Sequence, residues 1–204
     1  MENPRLEPLA PRPWNYNPSS WKQRVQIALI ALVATFIALY LGLVQWGILP
    51  AWDPIFGDGT LKVLSSDVSH EFTRWIRIPD AMLGVFAYLS DVIFALAGSE
   101  RRWQDRPWLV ILFGIDIIPL GIVSIILVLL QGLVVKSWCF LCLMSAAISL
   151  ILIFFAYDEV ISSCIFLYEV KKRASWRKTW WTFWGYPCEE AIEAGIATLQ
   201  IRKK

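Results

Sequence analysis

The chain has 204 residues, 57% of them hydrophobic and 18% charged, with a mean hydropathy of +0.53. Soluble domains hold about 45–50% apolar and about 25% charged residues, and here the apolar residues gather in blocks long enough for a bilayer, which excludes a soluble enzyme. A net charge of +2 gives no electrostatic footprint for nucleic acid, and the length holds one domain and little more.

Residues 1–24 carry Pro4, Pro8, Pro11, Pro13 and Pro18 and are expected to form an extended or disordered tail. Residues 25–49 follow without a charge and predict a first membrane span. The run is too long for a signal-peptide core and no A-x-A-like cleavage site follows it, so it is expected to stay as an anchor. Residues 50–77 predict a loop that opens on Pro50, Pro54, Gly57 and Gly59. Val68, Phe72, Trp75 and Ile76 then fall at i, i+4, i+7 and i+8, a short amphipathic helix with Ser66 and Asp67 as caps. Such a helix lies either across the mouth of the bundle or in the membrane interface.

Three more spans are predicted. Residues 78–98 contain only Asp80 and Asp91 as charges, residues 108–135 only Asp116, and residues 139–157 none. Pro119 frees a carbonyl beside Asp116 and predicts a local kink. Arg101–Arg106, with Trp103 and Trp108, reads as an interfacial turn. The run after Val160 is broken by Glu169, Lys171, Lys172 and Arg173. Trp176, Trp180 and Trp184, flanked by Arg177 and Lys178, predict an amphipathic helix in the interface or a docking surface for another subunit. Glu189, Glu190 and Glu193 open a last helix that ends on Arg202–Lys204.

The expected fold is an all-α integral membrane protein. It has a four-transmembrane-helix bundle over 25–160, a short outer loop helix, a Pro-rich tail over 1–24 and an interfacial, Trp-rich tail over 161–204. Fifteen Lys and Arg fall in the two tails and the 101–106 turn, against four in the opposite loops. The bias predicts that both termini are cytoplasmic, with the protein in the inner or plasma membrane if it is bacterial.

Chemistry concentrates at Trp138-Cys139-Phe140-Leu141-Cys142, where the last span begins. Cysteines three apart on a helix share a face, with Cα atoms about 5 Å apart, close enough for a disulfide. The opening turn offers unpaired N–H groups and the positive end of the dipole, which favour a thiolate. The pair is placed at the outer face, where disulfides persist. Chance alone gives a C-x-x-C roughly 6% of the time for four cysteines in such a chain, and buried, inert thiols are the alternative. Leu143 stands where haem attachment needs His, and one histidine with no second C-x-x-C argues against zinc, so no metal is expected.

Three stretches together carry a family resemblance. They are Thr60-Leu61-Lys62-Val63-Leu64-Ser65-Ser66, the segment 78–89 with Pro79, Gly84 and Tyr88, and Trp138 to Leu143. In this order and spacing the chain resembles the vitamin K epoxide reductase family of membrane thiol–quinone oxidoreductases, over about residues 25–160. The resemblance implies that Cys139 and Cys142 are the catalytic pair, with Cys142 facing a quinone and Cys139 exchanging with an incoming thiol. It implies Ser66 on the quinone side, with Asp80 and Trp138 as supporting residues. It also implies a quinone as electron acceptor and a soluble thioredoxin-like protein on the outer side as donor, alongside membrane lipid. The chain departs from the pattern in having no cysteine before Cys139, Thr60 standing where the second loop cysteine would be, and Ala146 in place of a tyrosine. It is therefore read as a bacterial-type homologue lacking the loop cysteine pair.

The expected function is a membrane thiol–disulfide oxidoreductase that passes electrons from protein thiols through C-x-x-C to a quinone, forming disulfide bonds. The alternative is a non-catalytic scaffold or assembly subunit that keeps the fold. Asp91 and Asp116 are intramembrane carboxylates and so functional candidates, either as a proton path or as protonated packing groups. A carrier built on them lacks the support of an internal repeat. His70 reads as a surface histidine, Cys164 as inert, and Cys188 as too far from the outer face to replace a loop cysteine.

Overall fold

The computed structural model describes residues 17–67, 69, 74 and 78–202, and every regular element among them is helical. In chain order these are α1 (Trp21–Gln45), α2 (Gly59–Leu64), α3 (Asp80–Leu96), α4 (Arg102–Asp105), α5 (Pro107–Leu130), α6 (Phe140–Arg173), α7 (Trp176–Phe183) and α8 (Glu190–Arg202). A π-helical turn, Gln131–Val135, extends α5 and ends at Lys136 in the left-handed region, φ 52°. The expected loop helix through Val68, Phe72, Trp75 and Ile76 lies outside the described residues, as do His70 and most of the Pro-rich tail.

The structure corrects the four-span bundle. Three helices are long and apolar enough to cross a membrane: α1, α5 with its π turn (29 residues) and α6 (34 residues). The expected second span is α3, which has 17 residues. That is about 25 Å of helix against about 30 Å of hydrocarbon. The 78–98 run was longer than the helix inside it. Ile78 and Pro79 precede the helix, since the residue before a proline is driven out of helical geometry, and Gly98 closes it at φ +81°. The remaining helices, α2, α4, α7 and α8, are additions outside the membrane, with the two helices expected in the tail beginning at Trp176 and Glu190.

Two helix ends are set by identifiable chemistry. α1 stops in a Schellman motif: Gly47, at φ +72°, donates to the Val44 carbonyl, and Ile48 donates to that of Leu43. α6, by contrast, runs on well beyond the expected limit at Tyr157, because no glycine or proline interrupts Phe140–Arg173.

The chain divides into two compact units. One comprises residues 1–25, 96–115 and 156–204, the other residues 26–95 and 116–155. In the first, Trp103 packs edge-on against Phe166 at 5.8 Å, with Val170, Ala191 and Ala194 completing a buried core. Arg102 grips Glu159 through Nε at 2.5 Å and Nη2 at 2.6 Å, and both side chains are buried. Arg24 and Arg102 also donate to the Ala97 carbonyl left open at the end of α3. In the second unit small residues bring helices together: Gly42 lies under Met82, and Gly121 under Ile153. Leu41, Val44, Leu64 and Cys139 form its buried cluster.

Candidate active site

Cys139 is the residue before α6, in the position of its N-cap. Its Cα lies 5.2 Å from that of Cys142, and the two sulfurs are paired as a disulfide. The Cys142 N–H, one of the unpaired donors of the first turn, points at Cys139 Sγ at 3.1 Å. In the dithiol form the same N–H and the helix dipole stabilise a thiolate on Cys139. The Cys139 N–H in turn donates to Gln131 Oε1 at 3.3 Å, so the π turn holds the residue from behind.

The two cysteines have different surroundings. Cys139 is fully buried, packed with Leu41, Val44 and Leu64. Cys142 opens onto an apolar cavity of about 370 Å³, within the range of small-molecule sites. Ser66, Asp80, Tyr88, Asp116, Ser124 and Ser145 supply polar groups to its wall.

The segment before α2 covers Cys139. Thr60 Oγ1 lies 3.6 Å from Cys139 Sγ and donates to Asp53 Oδ2 at 2.9 Å. The same Asp53 oxygen accepts the Phe140 N–H at 3.0 Å, capping the cysteine helix across the fold. Its other oxygen takes the Ile55 and Phe56 N–H groups at 3.1 and 2.8 Å. Burial raises the Asp53 carboxyl, but these N–H and hydroxyl donors outweigh it and hold the group below the usual aspartate value. Gly59 sits so close to the Trp138 carbonyl that a Cβ there does not fit.

The other expected residues fall as follows. Ser66 lines the cavity, donates to the Val63 carbonyl at 2.7 Å and accepts the Ser69 N–H at 3.4 Å, as a cap does. Asp80 is the first residue of α3, receives the Gln45 amide and the Ser69 hydroxyl, and also lines the cavity. Trp138 is exposed and lays its ring on Gly132. Asp91 is fully buried with no hydrogen-bond partner on either oxygen among the described residues. Asp116 receives the Ser90 hydroxyl. Cys164 is exposed and Cys188 half-buried, both free. Among the described residues no group of three or more His, Cys, Asp or Glu is placed for a metal ion.

The vitamin K epoxide reductase family matches residues 25–157, well over half of the sequence. The chain belongs to that family. No curated protein and no solved structure matches it. Within the vitamin K epoxide reductase family the paired Cys139 and Cys142 are a thiol–disulfide oxidoreductase site, and the protein has a catalytic thiol-oxidoreductase role rather than a scaffold's. The reading of the chain as a homologue defined by an absent cysteine pair is corrected accordingly. A pair at disulfide distance is present, because i, i+3 spacing in the first helical turn brings the two Cα atoms within reach.

Sequence reasoning missed Asp53 and Gln131. Asp53-Pro54 carries a local signal, an aspartate ahead of a proline that accepts N–H groups two and three residues on. Its bond to Phe140, 87 residues away, has no sequence signature.

Proposed function

We propose that this protein oxidises the dithiol of a soluble thioredoxin-like protein and passes the electrons through Cys139 and Cys142 to a membrane quinone. The observation that carries the proposal is the asymmetry of the pair: Cys142 opens onto an apolar cavity, whereas Cys139 lies outside it under a short loop segment. The cavity suits an apolar ring, and Ser66 and Asp80 on its wall are assigned to the quinone side. Trp138 supports the turn that enters the cysteine helix. In each cycle the donor's thiolate attacks Cys139 Sγ and the Cys139–Cys142 bond breaks. Cys139 is then released as the donor's own disulfide forms. The resulting dithiol gives two electrons and two protons to the quinone, which leaves as quinol.

The test is a thiol-alkylation mass shift on membranes, with and without a quinone analogue, in wild type and Cys139→Ser. A wild-type pair that turns disulfide on quinone addition, with an inert variant, supports the proposal. A pair that stays reduced overturns it. Cys142→Ser, given the donor in its disulfide form, is expected to trap it as a mixed disulfide: the Cys139 thiolate attacks one donor sulfur, the other leaves as a thiolate, and no Cys142 thiol is there to displace the donor from Cys139.

A further inference from the structure

We propose that the hydroxyls of Tyr88, Ser145, Ser149 and Ser124 form a proton relay that serves quinone reduction at Cys142. The inference rests on the quinone reading above and adds its proton-handling groups.

Tyr88 is almost fully buried, yet belongs to the wall of the cavity. Its hydroxyl lies 2.8 Å from Ser145 Oγ and 2.7 Å from Ser149 Oγ, and Ser149 Oγ lies 3.1 Å from Ser124 Oγ. At each of these links either oxygen can be the donor. Three backbone contacts complete the network: Tyr88 and Ser149 also reach the Ser145 carbonyl at 3.1 and 3.0 Å, and Ser124 the Leu120 carbonyl at 2.9 Å. Four hydroxyls own four protons, whereas the network offers six contacts. Two contacts therefore always lack a proton, and protons can be redistributed without any heavy atom moving.

Its position fits the chemistry. Ser145 follows Cys142 by three residues, on the same face of α6 and about one turn along, and both line the cavity. A quinone carries its two oxygens on opposite edges of the ring. With one edge at Cys142, the other turns toward Ser145 and Tyr88. Forming quinol needs two O–H bonds. One proton comes with the electrons from the Cys142 thiol. Tyr88 supplies the other, is refilled from Ser149, and Ser149 from Ser124, which draws on water entering the cavity. Cys139 releases its proton to water as the S–S bond forms. Two electrons and two protons leave the dithiol side and the same number reach the quinone, so the balance closes.

The experiment compares two oxidants of the reduced protein, a short-chain quinone and a small-molecule disulfide, which needs no proton delivered to a ring oxygen. Tyr88→Phe and Ser145→Ala are expected to lower kcat with quinone about 100-fold, with KM changed little and the rate with the small disulfide unchanged. Ser124→Ala, two links from Tyr88 in the network, is expected to lower the quinone kcat as well. A Tyr88→Phe protein that keeps its quinone kcat, or loses both reactions equally, overturns the relay in favour of packing. A normal quinone kcat in Ser124→Ala overturns the chain beyond Ser149. If Tyr88→Phe does not fold, the two serine variants decide the matter. A wild-type dithiol that reacts with the disulfide but ignores the quinone overturns the quinone reading, and the relay with it. A reactive wild type with unaffected variants overturns the relay alone.

Discussion

Asp53 spends two carboxylate oxygens on four donors: two N–H groups of its own turn, the Thr60 hydroxyl and the first N–H of the cysteine helix. One residue thus shapes the loop, holds it over Cys139 and caps α6. A carboxylate at that helix end also competes with a Cys139 thiolate for the same dipole. Asp53→Ala is expected to cost about 1 kcal/mol, the size of a lost cap, and to speed alkylation of reduced Cys139 through both exposure and a better-stabilised thiolate. The pH dependence follows from the depressed acidity. The folded group titrates below its unfolded value of 3.8, so its contribution is full above that value and is lost as the pH falls through the folded one. Thermal melts in detergent should therefore separate wild type from variant most at about pH 6, with the gap narrowing as the pH falls below 3.8. A gap that does not change with pH would assign the effect to packing.

Between elements, the grip of Arg102 on Glu159 ties α4 to the second half of α6. Ser19 donates to the same carboxylate. Both charged side chains are buried, so removing one strands the other in an apolar environment. Glu159→Gln is expected to destabilise by about 3–5 kcal/mol, whereas the paired change Arg102→Met with Glu159→Leu should recover most of that loss. Unfolding of the single and double variants in one detergent measures the difference. A double variant no better than the single would mean that the pair holds α4 by more than charge. A tighter geometric constraint acts at Gly59, where the Trp138 carbonyl leaves no room for a methyl group. Gly59→Ala must push α2 away from the cysteine turn, at about 1–3 kcal/mol, and limited proteolysis of the loop reads the displacement.

For the molecule as a whole, what the sequence made legible was local: the apolar runs behind α1, α5 and α6, and the C-x-x-C at the head of a helix. Hydropathy and i, i+3 spacing need no knowledge of the rest of the chain. Helix limits were less legible. The composition of 78–98 concealed a 17-residue helix between Pro79 and Gly98, and the charges after Tyr157 suggested a stop where α6 continues. Charge ends an apolar run, but only a backbone constraint ends a helix. Least legible was what separates the environments of the two cysteines, since Asp53 and Thr60 reach Phe140 and Cys139 from a distant part of the sequence and Gln131 reaches Cys139 across a π turn. That separation has a direct consequence. Ala146 is one turn beyond Cys142 and lines the cavity, while Cys139 does not. A phenylalanine at 146 would take space from a ring seated against Cys142 and leave the Cys139 side as it is. Ala146→Phe is therefore expected to raise KM for a quinone at least about 10-fold, in line with the energy of a few methylenes in an apolar pocket. The rate at which a small dithiol reduces the Cys139–Cys142 bond should be unchanged. Steady-state quinone kinetics beside stopped-flow reduction of the disulfide measure both, and equal losses in the two would mean that the substrates share one entrance.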